Sequence, residues 1–215
     1  MNLIKKTIAL LLSLILIFSI SPVYADMQLD TDAIYKKGLV EIIEIDNTLY
    51  SYAYSLDETN CRVITITNLD DNRSDIVKYD RNNGIISLNN NEIGKMEIIF
   101  DSNESETDSR DSQLRGWTYM GSDSQYITWG MAVAMGVLAA IIAAAAGGIG
   151  AAAVIACMGA SALGVLASAA GGGTVYVDMY FQQYTPTTSQ FKEYWKFVAS
   201  TGDSYGYYEH YFPIC

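Results

Sequence analysis

The 54 residues between Asp123 and Asp178 include no charged side chain and are mostly alanine, glycine and aliphatic residues. A surface loop is not this apolar, so the segment must be buried in protein or solvated by lipid. A glycine-rich turn divides it into residues 128–146 and 151–170. As helices, these arms are each about 30 Å long, close to the thickness of a bilayer's hydrocarbon core. The pattern predicts a two-helix apolar hairpin over 128–170, whose turn contains Gly147, Gly148 and Gly150.

Small side chains recur at every fourth position of both arms. Helix backbones approach closely along such strips, and in lipid this close packing is what associates helices. We therefore predict that the arms pack along the following residues: Ala132, Gly136, Ala140, Ala144, Ala152, Ala156, Ala160, Gly164 and Ser168.

Glycines inside the arms lower intrinsic helix stability, by about 1 kcal/mol each relative to alanine. This suits an element that changes environment between water and lipid. Three arrangements are open at this point: conditional insertion into a membrane, a permanent two-pass anchor, and the buried core of a soluble protein.

The N-terminus has the pattern of a secretory signal peptide. Lys5 and Lys6 precede an apolar run over 8–20, and Val23-Tyr24-Ala25 forms a small-residue cleavage site. We predict that residues 1–25 are removed and that the protein is secreted. The alternative is a retained N-terminal anchor.

The net charge of −11 excludes nucleic acid as a partner. Residues 26–115 hold 19 acidic and 9 basic side chains, and residues 116–215 hold 5 and 2. The chain therefore lacks the cationic face that attracts amphipathic peptides to anionic lipid. Activity on a membrane must come from apolar insertion.

Three cysteines leave one plausible disulfide in an exported protein. Cys157 lies in the second apolar arm, where a thiol behaves as a small hydrophobic group. Cys61 and Cys215 are the candidate pair, and two unpaired thiols are the alternative.

Within the unit 26–100, residues 38–100 read as short strands separated by turns rich in Asn, Asp and Gly, which predicts an antiparallel meander, a small sandwich or an open barrel. The alternative is a partly ordered, acidic propeptide. Residues 101–115 are dense in Ser, Asp and Glu, which predicts a flexible linker. Arg110 and Arg115 in this linker are candidate processing sites.

The C-terminal tail is rich in aromatic residues and predicts three short strands over 174–184, 191–200 and 205–212. Residues 191–200 also fit an amphipathic helical turn. Tyrosine and tryptophan at this density suit a water–lipid boundary, and equally a β face packed by aromatic rings.

Side-chain patterns for catalysis or metal binding are absent. His210 is the one histidine, no Gly-x-Ser-x-Gly turn is present, and Cys-x-x-Cys spacing is missing. We predict no enzyme activity, no cofactor and no metal.

The layout as a whole resembles secreted, bacteriocin-like proteins of Gram-positive bacteria, the geobacillin-type large bacteriocins in particular. The resemblance rests on the signal peptide, the acidic β-rich leader, the Trp117-Thr-Tyr start, the apolar core over 131–170 and the tyrosine-rich tail. It implies antimicrobial action on the membrane of a related bacterium, with a cognate immunity or receptor protein as a further candidate partner.

These observations predict an α+β protein with an N-terminal antiparallel β meander or sandwich (26–100) and a linker (101–115). A C-terminal unit (116–215) then combines the hairpin with a short aromatic-rich β tail. The predicted function is a membrane-active bacteriocin or toxin that inserts the hairpin into a target membrane. The alternative is a cell-surface structural or interaction protein anchored by the same hairpin.

Overall fold

The strands of the protein form one antiparallel sheet in which every strand pairs with its neighbours in sequence. The computed structural model describes residues 32–99, 116–185 and 188–211. The strands are β1 Val40–Ile45, β2 Thr48–Leu56, β3 Arg62–Asn68, β4 Ser74–Asp80, β5 Ile85–Leu88, β6 Asn91–Ile98, β7 Thr118–Trp129, β8 Gly171–Thr185, β9 Thr188–Ala199 and β10 Ser204–Tyr211. The helices are α1 Ala33–Lys36, α2 Met135–Ala146, α3 Ala151–Met158 and α4 Ala160–Ala167.

Two-residue turns connect β1 to β2 and β5 to β6. Asp46 and Asn47 both have positive φ, as do Asn89 and Asn90, and the flanking strands pair directly on either side. This backbone matches the right-handed twist of the strands, and Asn and Asp adopt it more readily than most residues do. The predicted Asn/Asp turns at these positions are confirmed.

The sheet is larger than the predicted N-terminal unit and the chain is correspondingly richer in strand. β6 pairs with β7, the next described strand of the chain, and Ile98 lies opposite Gln125. The three predicted tail strands are present as β8, β9 and β10 of the same sheet. Within the described residues, the predicted N-terminal and C-terminal units therefore share one sheet and one hydrophobic core.

Helix α2 forms the centre of that core. Every residue from Gly136 to Ala146 is buried, and the helix contacts β3, β4, β7 and β8 as well as α3 and α4. Helix α3 contacts both β1 and β10, the first and last strands of the sheet. The sheet therefore curves round α2, and α3 lies where its two edges approach each other.

The predicted limits of the hairpin arms differ from the structure. Thr128 and Trp129 belong to β7, and the first helix begins at Met135. The second arm is divided at Gly159, whose φ of +78° ends α3 before α4 begins. Glycines 171–173 follow the end of α4 at Ala167 and open β8, where they pair with the last residues of β7.

Candidate functional site

The glycine turn between α2 and α3 is enclosed by the sheet. All residues from Gly147 to Gly150 are buried, and polar side chains from the N-terminal part of the chain contact the backbone on both sides of the turn. We call this set the turn clamp: Asp32, Tyr35, Glu41, Tyr54 and Arg62.

Arg62 binds the C-terminal end of α2. Its Nη1 donates to the carbonyl oxygens of Ala144 at 2.7 Å and Ala145 at 3.4 Å. The last carbonyls of a helix have no partner within the helix and carry partial negative charge, so a cation satisfies and stabilises them. Tyr35 adds a longer hydrogen bond, from its hydroxyl to the carbonyl of Ala143 at 3.4 Å.

The charge of Arg62 is compensated by Asp32. Arg62 Nε donates to Asp32 Oδ1 at 2.8 Å, and Arg81 Nη1 donates to Asp32 Oδ2 at 2.6 Å. Burial acts to raise the pKa of Asp32, but the hydrogen bonds and charges of the two arginines outweigh it and lower that pKa below its ordinary value. Asp32 is therefore ionised at neutral pH and holds the guanidinium against the helix end.

Glu41 and Tyr54 bind the N-terminal end of α3. The Tyr54 hydroxyl donates to Glu41 Oε2 at 2.6 Å and accepts the backbone N–H of Ala151, also at 2.6 Å. Glu41 Oε2 accepts the N–H of Ala152 at 3.3 Å. A carboxylate at this end complements the partial positive charge of unpaired helix N–H groups.

Glycine is required at the turn because the clamp lies against its backbone. A Cβ at Gly147 would lie 2.8 Å from Arg62 Nη2, and the φ of this residue is +82°. A Cβ at Gly150 would lie within 2.6 Å of the Glu41 carboxylate. Gly147, Gly148 and Gly150 thus lie between α2 and α3, and the absence of a side chain at Gly147 and Gly150 allows the strand residues to contact the backbone there.

Two further ionisable groups lie near the clamp. Burial raises the pKa of Glu193 to about 8, and the positive charge of Arg62 acts in the opposite direction. Burial lowers the pKa of His210, and Glu41 opposes this effect. Only 2% of Glu193 is exposed. Because this burial raises its pKa above 7, the carboxyl is mostly protonated at pH 7.

The predicted packing of the two arms along their small residues is not seen in this structure. The pair α2–α3 is bent by 112°, so the arms do not run antiparallel side by side. A Cβ at Gly136 would lie 2.6 Å from the Tyr52 hydroxyl of β2, whereas a Cβ at Gly164 would meet no atom within 4 Å. Ala132, Ala156 and Ser168 are exposed, whereas Ala140 and Ala144 are buried in the core.

The described helices are also shorter than a simple membrane-spanning helix. Among the described residues, no individual helix is long and apolar enough to cross a bilayer, and α2 with α3 meets that criterion only as a bent pair.

Several predicted residues lie beyond what the structure describes. Cys61 is buried and forms no disulfide with another described residue, but its candidate partner Cys215 lies outside the described residues. The same holds for Arg110, Arg115 and residues 1–25. The disulfide, the processing sites and export therefore stay predictions.

The clamp residues were missed in the sequence, although a signal was present. Glu41, Arg62 and Glu193 are each separated by an even number of residues from a buried apolar residue of the same strand (Ile45, Ile64 and Trp195), so each occupies a position that faces the core. A charged side chain at an inward strand position is rare unless it has a partner. Three of them together predict a buried polar cluster.

Comparisons with known proteins add no relative. No protein-family model matches the chain, and no curated protein or solved structure is similar to it.

Proposed function

We propose that this is a secreted, membrane-active protein of the bacteriocin or toxin type, in which the sheet stores the apolar helices until they enter a target membrane. The observation that carries the proposal is the turn clamp. Charged side chains of the N-terminal part bind the turn of an otherwise uncharged segment, so these polar contacts add to the apolar burial of α2 in holding the stored form together.

The composition of the stored segment supports insertion. Residues 124–177 include no charged side chain, so moving them into lipid requires no ionised group to lose its water. Helix α2 alone is 12 residues long, which corresponds to about 18 Å. α3 and α4 joined across Gly159 would be about 26 Å long, close to the thickness of the hydrocarbon core.

Release of the helices from the sheet requires Arg62 and Glu41 to lose their contacts with the helix ends. Arg62 and Glu41 bind opposite helix ends, at the carbonyls of α2 and the N–H groups of α3. When the turn leaves the sheet, those backbone groups can be satisfied by continued helix or by the polar layer of the membrane. The charged side chains remain with the sheet in water.

The test is dye release from vesicles of phosphatidylcholine, with and without phosphatidylglycerol, by the purified secreted protein. Arg62→Met removes the guanidinium from the turn and should increase the rate of release. Arg73→Met is the matched control, because the Arg73 side chain is 88% exposed and pairs with Asp71 in a surface turn.

Loss of stability alone could also expose the helices, so a second control is needed. Ile86→Ala on β5 creates a cavity at a residue that is 1% exposed, and it should destabilise the fold by about 2–5 kcal/mol without touching the clamp. Faster release by Arg62→Met than by Ile86→Ala, at concentrations where both are folded, supports storage by the clamp. No release by wild type or Arg62→Met contradicts the proposal.

The second candidate is a cell-surface interaction protein whose helices stay in the core. Complete burial of α2 favours it, since a permanent core helix is buried in the same way. In that case neither wild type nor Arg62→Met releases dye, and the outer surface of the sheet carries the function.

A further inference from the structure

The outer face of β7–β10 carries a continuous group of tyrosines. Alternate residues of β8 and β9 point into the core, among them Val175, Val177 and Trp195, and the intervening ones point outward. We call the outward group the tyrosine face: Tyr119, Tyr176, Tyr180, Tyr194, Tyr207 and Tyr211.

Strand register places these side chains side by side. Tyr119 lies opposite Tyr180, Tyr180 opposite Lys192, and Lys192 opposite Tyr211, which forms one row across four strands. Among the described residues, the four exposed aromatic side chains are all on this face, with exposed fractions of 53% (Tyr119), 38% (Tyr176), 67% (Tyr207) and 48% (Tyr211). A contiguous exposed patch of this kind marks an interaction site.

Hydrogen bonds hold several rings against the sheet. The Tyr211 hydroxyl donates to Glu209 at 2.7 Å, two residues back on the same strand, and the Tyr194 hydroxyl reaches the same carboxylate at 2.9 Å. Because each hydroxyl binds a neighbour on the face, these rings lie along the surface. Tyr180 stands edge-on to both Tyr119 and Tyr194. The face is therefore a rigid platform of ring faces and ring edges.

The charged side chains on the platform are two cations, Lys192 and Lys196, and two carboxylates, Asp178 and Glu209, so the platform has no net charge. Lys192 Nζ lies 4.5–5.4 Å from the ring centres of Trp117, Tyr180 and Tyr194, and it donates to Glu209 at 3.0 Å. Burial acts to lower the pKa of Lys192, but the hydrogen bonds to Tyr194 and Glu209 outweigh it and raise that pKa. Lys196 Nζ lies over the Tyr176 and Tyr207 rings at 4.7 and 5.3 Å.

We propose that the tyrosine face binds a neutral polysaccharide built of β-linked pyranose sugars. The face of an aromatic ring is negatively polarised and attracts the positively polarised C–H groups that such sugars present when their substituents are equatorial. Tyrosine hydroxyls at the ring edges bind sugar hydroxyls. A platform with no net charge fits a neutral ligand, and rigid tyrosines lose little conformational entropy on binding.

A bilayer and a polyanion fit the same surface less well. Surfaces that insert into lipid project tryptophan, phenylalanine or leucine, whereas the exposed rings here carry hydroxyls, of which Tyr119 binds Ser122 and Tyr211 binds Glu209. The net charge of −11 disfavours a polyanion. The inference does not depend on whether the helices leave the sheet.

The experiment measures depletion of the purified protein from solution by insoluble chitin and by cellulose, with phosphatidylcholine vesicles in parallel. Tyr176→Ala/Tyr207→Ala should weaken binding by about tenfold or more, because two stacking rings are lost. Tyr176→Phe/Tyr207→Phe keeps the rings and should remain within about threefold of wild type. Ile42→Ala, at a site 67% exposed on β1, is the surface control and should bind as wild type does.

Binding of wild type to either polymer, lost in the alanine variant and kept in the phenylalanine variant, supports the proposal. It is overturned if neither polymer depletes the protein, if the alanine variant binds as well as wild type, or if only the vesicles bind. A dimer that occludes the face, seen as a doubled mass in solution and abolished by Tyr176→Ala/Tyr207→Ala, would likewise overturn it.

Discussion

The two apolar arms have nearly the same composition but different environments. α2 is buried along its length, whereas α3 and α4 have one side in the core and one side exposed, where Val165 is 71% exposed. The glycines show the same contrast, since Gly136 lies against Tyr52 and Gly164 faces open space. An uncharged, Ala/Gly-rich sequence therefore does not determine how deeply a helix is buried, because burial depends on what surrounds it.

The largest expected difference between the arms is the effect of removing a side chain. Leu138 on α2 is 0% exposed, so Leu138→Ala should lower the free energy of unfolding by about 3–5 kcal/mol, through lost transfer energy and a cavity. Val165→Ala on α4 should change it by less than about 0.5 kcal/mol. Urea denaturation followed by tryptophan fluorescence measures both. Equal losses would show that the arms are equivalently buried in solution.

The pH dependence of stability tests whether the Glu193 carboxyl near the turn clamp is buried and protonated. The pKa of Glu193 is raised from 4.5 to about 8, so the folded protein binds more protons than the unfolded chain between these values. Stability contributed by the protonated form is present below pH 4.5 and is lost as pH rises towards 8. Glu193→Gln mimics the protonated form and should be about 2–4 kcal/mol more stable than wild type at pH 7, but equal to it at pH 4.

Denaturation midpoints from pH 4 to 9 test this. Asp32 and His210 titrate in both proteins, so the difference between the two curves isolates Glu193. Parallel curves across the range would contradict the assignment of a buried, protonated carboxyl.

The close contact at Gly136 can be tested by a double-mutant cycle. Gly136→Ala should cost about 1–3 kcal/mol through overpacking, because its Cβ would lie against the Tyr52 hydroxyl. That buried hydroxyl has no hydrogen-bond partner among the described residues, so Tyr52→Phe alone should be neutral or slightly stabilising. In the Tyr52→Phe background, the cost of Gly136→Ala should largely disappear. Additive effects would argue that the two residues do not touch.

The smallest expected effect is a gain at the second arm. Gly164→Ala lies in the interior of α4 with no atom within 4 Å of the new Cβ. It should raise the free energy of unfolding by about 0.5–1 kcal/mol through helix propensity. A thermal melt beside wild type measures the shift. A loss of stability would indicate a close contact at Gly164, as the packed-hairpin prediction requires.

Much of the local structure could be predicted because it depends on neighbouring residues. The Asp46-Asn47 and Asn89-Asn90 turns follow from residues that tolerate positive φ. The strands of the N-terminal part and of the tail follow from β-branched and aromatic residues between turn signals. The helical character of 135–167 follows from its alanine content, and the turn between the arms follows from Gly147, Gly148 and Gly150.

The residues at which those helices and strands begin and end depended on pairing between strands that are far apart in sequence. Thr128 and Trp129 read as the start of an apolar helix, but they extend β7 because Gly94 of β6 and Gly171 of β8 pair with Trp129. The Trp129 indole then donates to the carbonyl of Ala169 at 2.9 Å. These partners are far apart in sequence, and local periodicity includes no information about them.

The sequence by itself determined that most of 124–177 must be removed from water, since an uncharged segment of that length has few polar side chains with which to face it. Only the tertiary structure decided that the sheet covers it, with α2 at the centre and charged side chains at the turn. The reason is that each charged side chain depends on a partner from another element. Arg62 binds the end of α2 and Glu41 binds the start of α3. The protonation of Glu193 depends on its burial and on the charge of Arg62. Electrostatic energy in a buried site depends on distance and desolvation, and both are set by the fold.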